Sequence, residues 1–302
     1  MNMDNRKGVR IGTKILLVGI PIAMVAVLVS SLMAGISSQN ALGKASFERL
    51  TAVRELKAQQ IENYFELLSG QAVSLASNTA TTDAVSAFEY SIFLLNGLVK
   101  TTNLTDKAMV AAYYDSIIIR ELNETGAMEA DMELIKNLVP TDPLALHLQM
   151  EYLLDSESFG NSGQDELNDL GAYYKRKIEE TDVFFSDFAS RFGYNDVYLI
   201  AEKNSRVVYS VSRGIEFGTS LIDGPHSDTN FGDAVEAAKL LDVGEFVFAD
   251  FEKYIPAYGA PTAFVASPIF IEDVRKGVLV LEISVEEIDA IMTSNQSWSD
   301  VG

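Results

Sequence analysis

Cysteine is absent from this chain. Without a thiol there is no disulfide framework, no thiolate metal site and no cysteine nucleophile. Histidine is nearly as scarce, with His147 and His226 the two copies. There is also no Gly-x-Ser-x-Gly elbow and no phosphate-cradling glycine loop, so the sequence offers little basis for catalysis and the chain is expected not to be an enzyme. Tryptophan occurs once, at Trp298, and basic residues are few: 23 Lys and Arg stand against 43 Asp and Glu, a formal net charge of −20. Such a surface repels nucleic acid and anionic lipid. The 48% apolar content argues against disorder, and the length is sufficient for a good core.

Charge is missing altogether between Lys14 and Lys44, a stretch that begins with the apolar run from Ile15 to Met33. About 20 apolar residues rising ~1.5 Å each cross a hydrocarbon core of ~30 Å. Arg6, Lys7, Arg10 and Lys14 precede the run with only Asp4 against them. The positive-inside rule then places residues 1–14 in the cytoplasm, a transmembrane helix at 15–36, and the acidic remainder outside the inner (plasma) membrane, in a periplasmic or extracellular compartment. A cleaved secretory signal is the rival. Against it, the run is longer than a usual signal core, and Leu32-Met33-Ala34-Gly35 is a poor cleavage site. Pro21 is tolerated in a membrane helix.

Past the span, Leu50, Val53, Ile61, Tyr64, Leu68, Ala72 and Leu75 recur at spacings of three, four and occasionally eight, which predicts one stalk helix from about Gln39 to Thr79 (37–82 as a domain). A stripe this broad suits packing on its own domain or pairing with a second copy, and a homodimer through the stalk is expected. Residues 83–192 read as mostly helical. Pro140-Thr-Asp-Pro143 interrupts them before a helix at Leu144–Leu154, Ser156–Asp169 reads as a loop, and a helix from Tyr173 to Phe192 ends at Gly193. After Gly193 the period changes from 3.6 to 2. Strands are predicted at Val197–Ala201, Arg206–Val211, Glu245–Phe251, Thr262–Phe270 and Lys276–Ser284, with tight turns at Glu202–Ser205 and Ile271–Val274 and a short helix at Asp233–Leu241. The expected fold class is α+β: a membrane helix, a stalk helix, a helical region, and a five-stranded, mostly antiparallel sheet with helices on one face.

Four segments resemble the Cache family of extracellular sensor modules, in the double-module form of bacterial chemoreceptors, histidine kinases and receptor cyclases. They are Leu56–Phe65, Phe192–Ile200 with Val207–Ser210, Phe217–Pro225, and Phe248–Phe251 through Ala260–Pro268. The resemblance implies a PAS-like sheet at 193–292 as the membrane-distal module. It also implies that residues 293–302 begin a membrane-proximal module truncated here, with a returning span and an output domain in relatives. It further implies a small-molecule ligand held between the sheet and the helix and loop that cover it. Amino-acid-binding relatives carry an Arg-x-Trp-Tyr segment that has no counterpart here.

Candidate ligand contacts follow from strand positions. Asp250 shares a strand face with Phe246 and Phe248 by alternation, which puts a carboxylate on an apolar floor unless the strand twists out and leaves it solvated. Glu282 interrupts Val278-Leu-Val-Leu281 and Ile283, so it is buried, paired or ligand-facing, or else marks an open sheet face. Resemblance adds that amino-acid-binding relatives use an acidic side chain near this strand. Tyr209, Tyr254 and Tyr258 supply rings and hydroxyls to a ligand, or serve as packed or lid residues. His147 reads as an ordinary helix residue. His226, in Asp223–Asp228, lacks the spacing of a calcium loop. No metal and no cofactor are expected.

The reading reached is the extracytoplasmic ligand-sensing region of a membrane receptor. Its rivals are a module that docks a periplasmic binding protein and, at a distance, an anchored periplasmic hydrolase. The topology is directly testable. A reporter active only in the cytosol, fused after Gly302, is expected to be silent, and an active fusion overturns the membrane orientation.

Overall fold

The computed structural model describes residues 11–102, 104–126, 128, 131–154 and 165–293. The tail up to residue 10, most of the expected loop at 156–169, and the expected start of a further module after 293, with Trp298, lie outside the described residues. The chain divides into two compact units, Met1–Gln60 and Ile61–Gly302.

Helix α1 runs Ile11–Ala76, and Pro21 lies within it without ending it. In the first unit Leu16, Ile22, Val25, Leu28 and Leu32 are all exposed, on the one helix among the described residues that is long and apolar enough to cross a membrane. A helix apolar on every side is stable only where protein or lipid covers it. Further along, Leu50 and Val53 of the predicted stripe are exposed.

In the second unit the same stripe changes character: Leu68, Ala72 and Leu75 are buried in the core. The helix stops at Ala76, short of the expected Thr79, because Asn78 begins a new one. Its side chain accepts a hydrogen bond from the Ala80 amide at 2.8 Å and caps α2 (Thr79–Leu98). Then come α3 (Leu104–Tyr113), a π-helical turn (Tyr114–Ile118), α4 (Ile119–Thr125) and α5 (Met132–Leu138). Helix α6 (Pro143–Tyr152) starts with Pro143 in its first turn and Asp142 as its cap, and α7 spans Asp165–Phe192. Helix α7 therefore begins inside the stretch read as a loop. Asp165 and Glu166 look like loop residues by polarity, but in a first helical turn they favour the positive end of the macrodipole.

The sheet comprises β1 (Asp196–Ala201), β2 (Val207–Ser210), β3 (Val247–Tyr254), β4 (Ala260–Ile271) and β5 (Val274–Ser284), with α8 (Asn230–Ala238) before β3 and α9 (Glu286–Thr293) after β5. Its order is β2-β1-β5-β4-β3, antiparallel throughout. Glu272 and Asp273 both have positive φ, 49° and 62°, as a two-residue hairpin turn that matches strand twist requires.

The expectation of helices on one face is corrected: both faces are covered. Strand β1 is buried at every position and β5 from Gly277 to Ile283, and a sheet apolar on both sides needs cover on both. One face packs on α2 and α7, where Tyr209 stacks on Phe88 and tilts against Phe185. The other packs on α8, whose Phe231 stacks on Phe264 at 4.8 Å and tilts on Tyr198 at 4.6 Å.

Val85 of helix α2 packs over Gly277 of β5. A Cβ there would lie 2.2 Å from the Ile200 carbonyl oxygen and 3.0 Å from Val85 Cγ2. The Gly277→Ala variant is therefore expected to lose about 2 kcal/mol or more of stability, because backbone on the neighbouring strand has to shift. Denaturant unfolding checks this, with Gly70→Ala, where nothing lies within 4 Å of the added methyl and stability is expected to hold or rise, as the clash-free comparison.

Candidate functional site

The α8-covered face of the sheet carries the unusual chemistry. Register pairs Asp196 with Glu282 and Tyr198 with Val280 across β1 and β5, so Asp196, Tyr198 and Glu282 project from the same side. Tyr254 at the end of β3 packs its ring against Phe231 and Phe264 on that side too. A third acid, Glu216, reaches the group from the segment between β2 and α8. All five side chains are buried.

Glu216 is delivered there by its flanking backbone. Gln149 of α6 donates to the carbonyl oxygens of Ile215 at 2.7 Å and Phe217 at 3.1 Å, and the Tyr114 hydroxyl lies 3.0 Å from the Ile215 carbonyl oxygen. Thr219 Oγ1 donates to the carbonyl of Glu216 itself at 2.6 Å. The π-helical turn and α6 thus hold the chain on both sides of one buried acid. A π-helical turn often marks a functional position.

The three carboxyl groups solve burial differently. Asp196 accepts hydrogen bonds from the amides of Val197 (2.6 Å) and Val211 (2.7 Å), from Ser210 Oγ (2.7 Å) and from Ser212 Oγ. These favour its charged form, although burial dominates and raises its pKa above the usual value. Glu282 accepts from the Tyr198 hydroxyl at 2.5 Å. Burial first, and the charge of Asp196 second, push it up to about 7. Glu216 has an oxygen, Oε2, without a hydrogen-bond partner, and the same two causes push it up to about 8. The Tyr254 hydroxyl is also buried without a partner. Burial and the three acids hold the hydroxyls of Tyr198 and Tyr254 far above the ordinary tyrosine range. Near neutral pH the exchangeable protons of the site therefore sit on Glu216 and Glu282.

Of the sequence candidates, the structure brings Glu282 and Tyr254 together. Tyr209 pairs with Leu199 and so faces the other side of the sheet, where its hydroxyl donates to Asp182 at 2.8 Å. Asp250 is exposed. A bulge between Ala249 and Glu252 breaks the alternation that placed it beside Phe248, whose ring meets Phe65 of α1. Its carboxylate accepts from the Phe251 amide, while its carbonyl accepts from Asn230 of α8 at 2.9 Å. Tyr258 sits at positive φ (53°) in the β3–β4 turn, half-buried against the smaller core around Tyr114. His226 is buried, with Nε2 unpartnered and its pKa lowered by burial to about 4, and His147 lies half-buried in α6. Among the described residues no group of three or more His, Asp or Glu is arranged to hold a metal ion. Sequence reasoning missed Asp196, Tyr198 and Glu216. The first two were within reach, since Asp196-Val-Tyr198 alternates as Glu282 does on the paired strand. Glu216 carried no periodic signal.

No family model and no curated protein matches the chain. Among solved structures, the chain is similar to the sensor domain of the V. cholerae histidine kinase DctB, at 16% identity and a TM-score of 0.31, over 47% of this chain and 49% of that one. The chain thus spans about half the length of that domain. It is also similar to the ligand-binding domain of the Campylobacter jejuni chemoreceptor Tlp3. With 4-methylisoleucine bound, the values are 8% identity, TM-score 0.29, and 74% and 68% of the two chains; with L-valine bound, they are 12%, 0.30, and 71% and 68%. At such scores these likenesses say nothing about what this chain binds.

The raised acids set a pH dependence. Glu216 and Glu282 bind protons more tightly folded than unfolded, so between about pH 4.5 and 8 the native state holds the extra protons. Their contribution to stability is complete below the unfolded value and is lost as pH rises through the folded values, by at most about 1.4 kcal/mol per pH unit per group. The melting temperature is expected to fall from about pH 5.5 to 8.5, and Glu216→Gln is expected to flatten the profile. A profile unchanged by that substitution contradicts the assignment.

Proposed function

We propose that this chain is the extracytoplasmic ligand-sensing region of a membrane-bound bacterial signal-transduction receptor, and that it binds a small cationic or zwitterionic solute at Asp196, Glu216 and Glu282. The observation that carries the reading is the buried carboxylate Glu216, with an unpartnered oxygen, beside Glu282, Asp196 and the unpartnered hydroxyl of Tyr254. A purely structural interior has little use for such a group: a buried polar atom without a partner costs about 1–3 kcal/mol. An ammonium group supplies what the site lacks. It donates hydrogen bonds and offsets the mutual repulsion of the acids, among the rings of Tyr198, Tyr254 and Phe231.

The rest of the receptor reading follows from the chain's order. The apolar run in α1 serves as the anchor, with the N-terminus cytoplasmic, and the stalk pairs with a second copy. The cluster is roofed by α8, so a ligand that enters must shift that cover. Binding then biases the domain between two arrangements by the ligand's differential affinity for them, and α1 carries the change toward the membrane.

The test is a thermal-shift and calorimetric screen of the full chain in lipid nanodiscs against amines, amino acids and betaines. A hit is expected to bind more tightly as pH rises from about 6 to 8, because the cation displaces protons from Glu216 and Glu282, with up to tenfold per pH unit for each proton released. Glu216→Gln and Glu282→Gln are expected to remove that dependence, and Tyr209→Phe to leave it intact. If no cation raises the melting temperature, direct sensing at this site is wrong.

A further inference from the structure

The side of the sheet covered by α2 carries an opening. A cleft of about 590 Å³ lies between α2, the β1–β2 turn and the start of β5. That volume is in the range of small-molecule sites. Its apolar wall is formed by Tyr90 and Phe93 of α2, which are 61% and 65% exposed although both are large rings. Lys203 comes from the turn and Lys276 from β5. The Lys203 ammonium stands 5.6 Å from the centroid of the Phe93 ring, a distance at which a cation and an aromatic face attract. Among the described residues, neither lysine forms a salt bridge, and Glu89 on the same wall pairs with neither.

This combination is out of character with the rest of the molecule. In a chain of net charge −20, two ammonium groups share one cleft without a carboxylate partner, next to two uncovered rings. The carboxylate site on the other face shows the opposite arrangement, acids buried without a cation. We propose that this cleft binds a small amphipathic anion, a carboxylate carried on an aryl or short alkyl body. Its carboxylate pairs with Lys203 and Lys276, and its apolar body lies against Tyr90 and Phe93. Asn96 and Asn204 at the margin supply hydrogen bonds that orient it. The ammonium groups recognise the charge and the exposed rings recognise the body, so neither feature alone suffices.

The probe is 4-fluorophenylacetate, titrated into the full chain in nanodiscs of neutral lipid and followed by fluorine NMR, with 4-fluorophenylacetamide as the uncharged match. The acid is expected to bind, and the amide to bind at least about tenfold more weakly, a difference of about 1.4 kcal/mol. The double variant Lys203→Gln/Lys276→Gln is expected to lose the same factor, Lys203→Arg/Lys276→Arg to keep binding, and Phe93→Ala to weaken acid and amide alike. All of these side chains line the cleft, and an unchanged melting temperature verifies that each variant is folded. Absence of binding up to about 10 mM, equal binding of acid and amide, or indifference to the Lys→Gln changes overturns the proposal. Glu216→Gln is expected to have no effect on this probe. If it abolishes the signal, the anion occupies the other face and the cleft is not its site.

Discussion

A carboxyl group taken out of water must find hydrogen-bond donors, a countercharge or a proton, and the α8-covered face of this sheet asks that of three at once. Asp196 takes the donors, drawing on two amides and two serine hydroxyls. Glu282 takes the Tyr198 hydroxyl, and Glu216 is left with an unpartnered oxygen. Because Asp196 uses up the local donors, its charge falls on its neighbours and lifts their affinity for protons. The raised proton affinity of Glu216 and Glu282 is the consequence of this one electrostatic constraint.

The surrounding structure is arranged to keep the constraint in place. Gln149 and Tyr114 grip the carbonyls on either side of Glu216, so the helical region between α1 and the sheet also positions one of the buried acids. At the other end of α8, Asn230 donates to the carbonyls of Asp250 and Thr262. The bulge that carries Asp250 outward thus also supplies an acceptor that fastens the roof. The opposite face is treated differently. There α2 and α7 close over Tyr209, Phe88 and Phe185 with ring-to-ring contact, and Gly277 lets α2 lie against the strand backbone. Both sides of the sheet carry packed aromatic rings, and the α8-covered side alone sets the buried acids Asp196, Glu216 and Glu282 among them.

Much of this was legible beforehand. The five strands, both tight turns and α8 lie near the positions that a period-2 pattern and turn chemistry indicate, because each depends on near neighbours in the chain. Glu282 stood out as a charge in the run Val278–Ile283 and does lie in the buried cluster. Asp250 stood out by the same logic and does not, since alternation holds only while the ladder is regular, and one inserted residue shifts everything after it. Tyr209 failed differently: its place on a strand was readable, but which face it took depended on its pairing with Leu199.

By itself, then, the sequence determined the local periods, the charge-free stretch between Lys14 and Lys44, the acidic surface and the absence of thiol chemistry, because these depend on composition and on residues a few positions apart. Only the tertiary structure decided that Asp196, Glu216 and Glu282 meet. They come from β1, an irregular segment and β5, separated in sequence and joined by strand order and by a clamp from α6. The proton affinity of each acid is set by neighbours in space, and no local pattern encodes a distance between strands that are not consecutive.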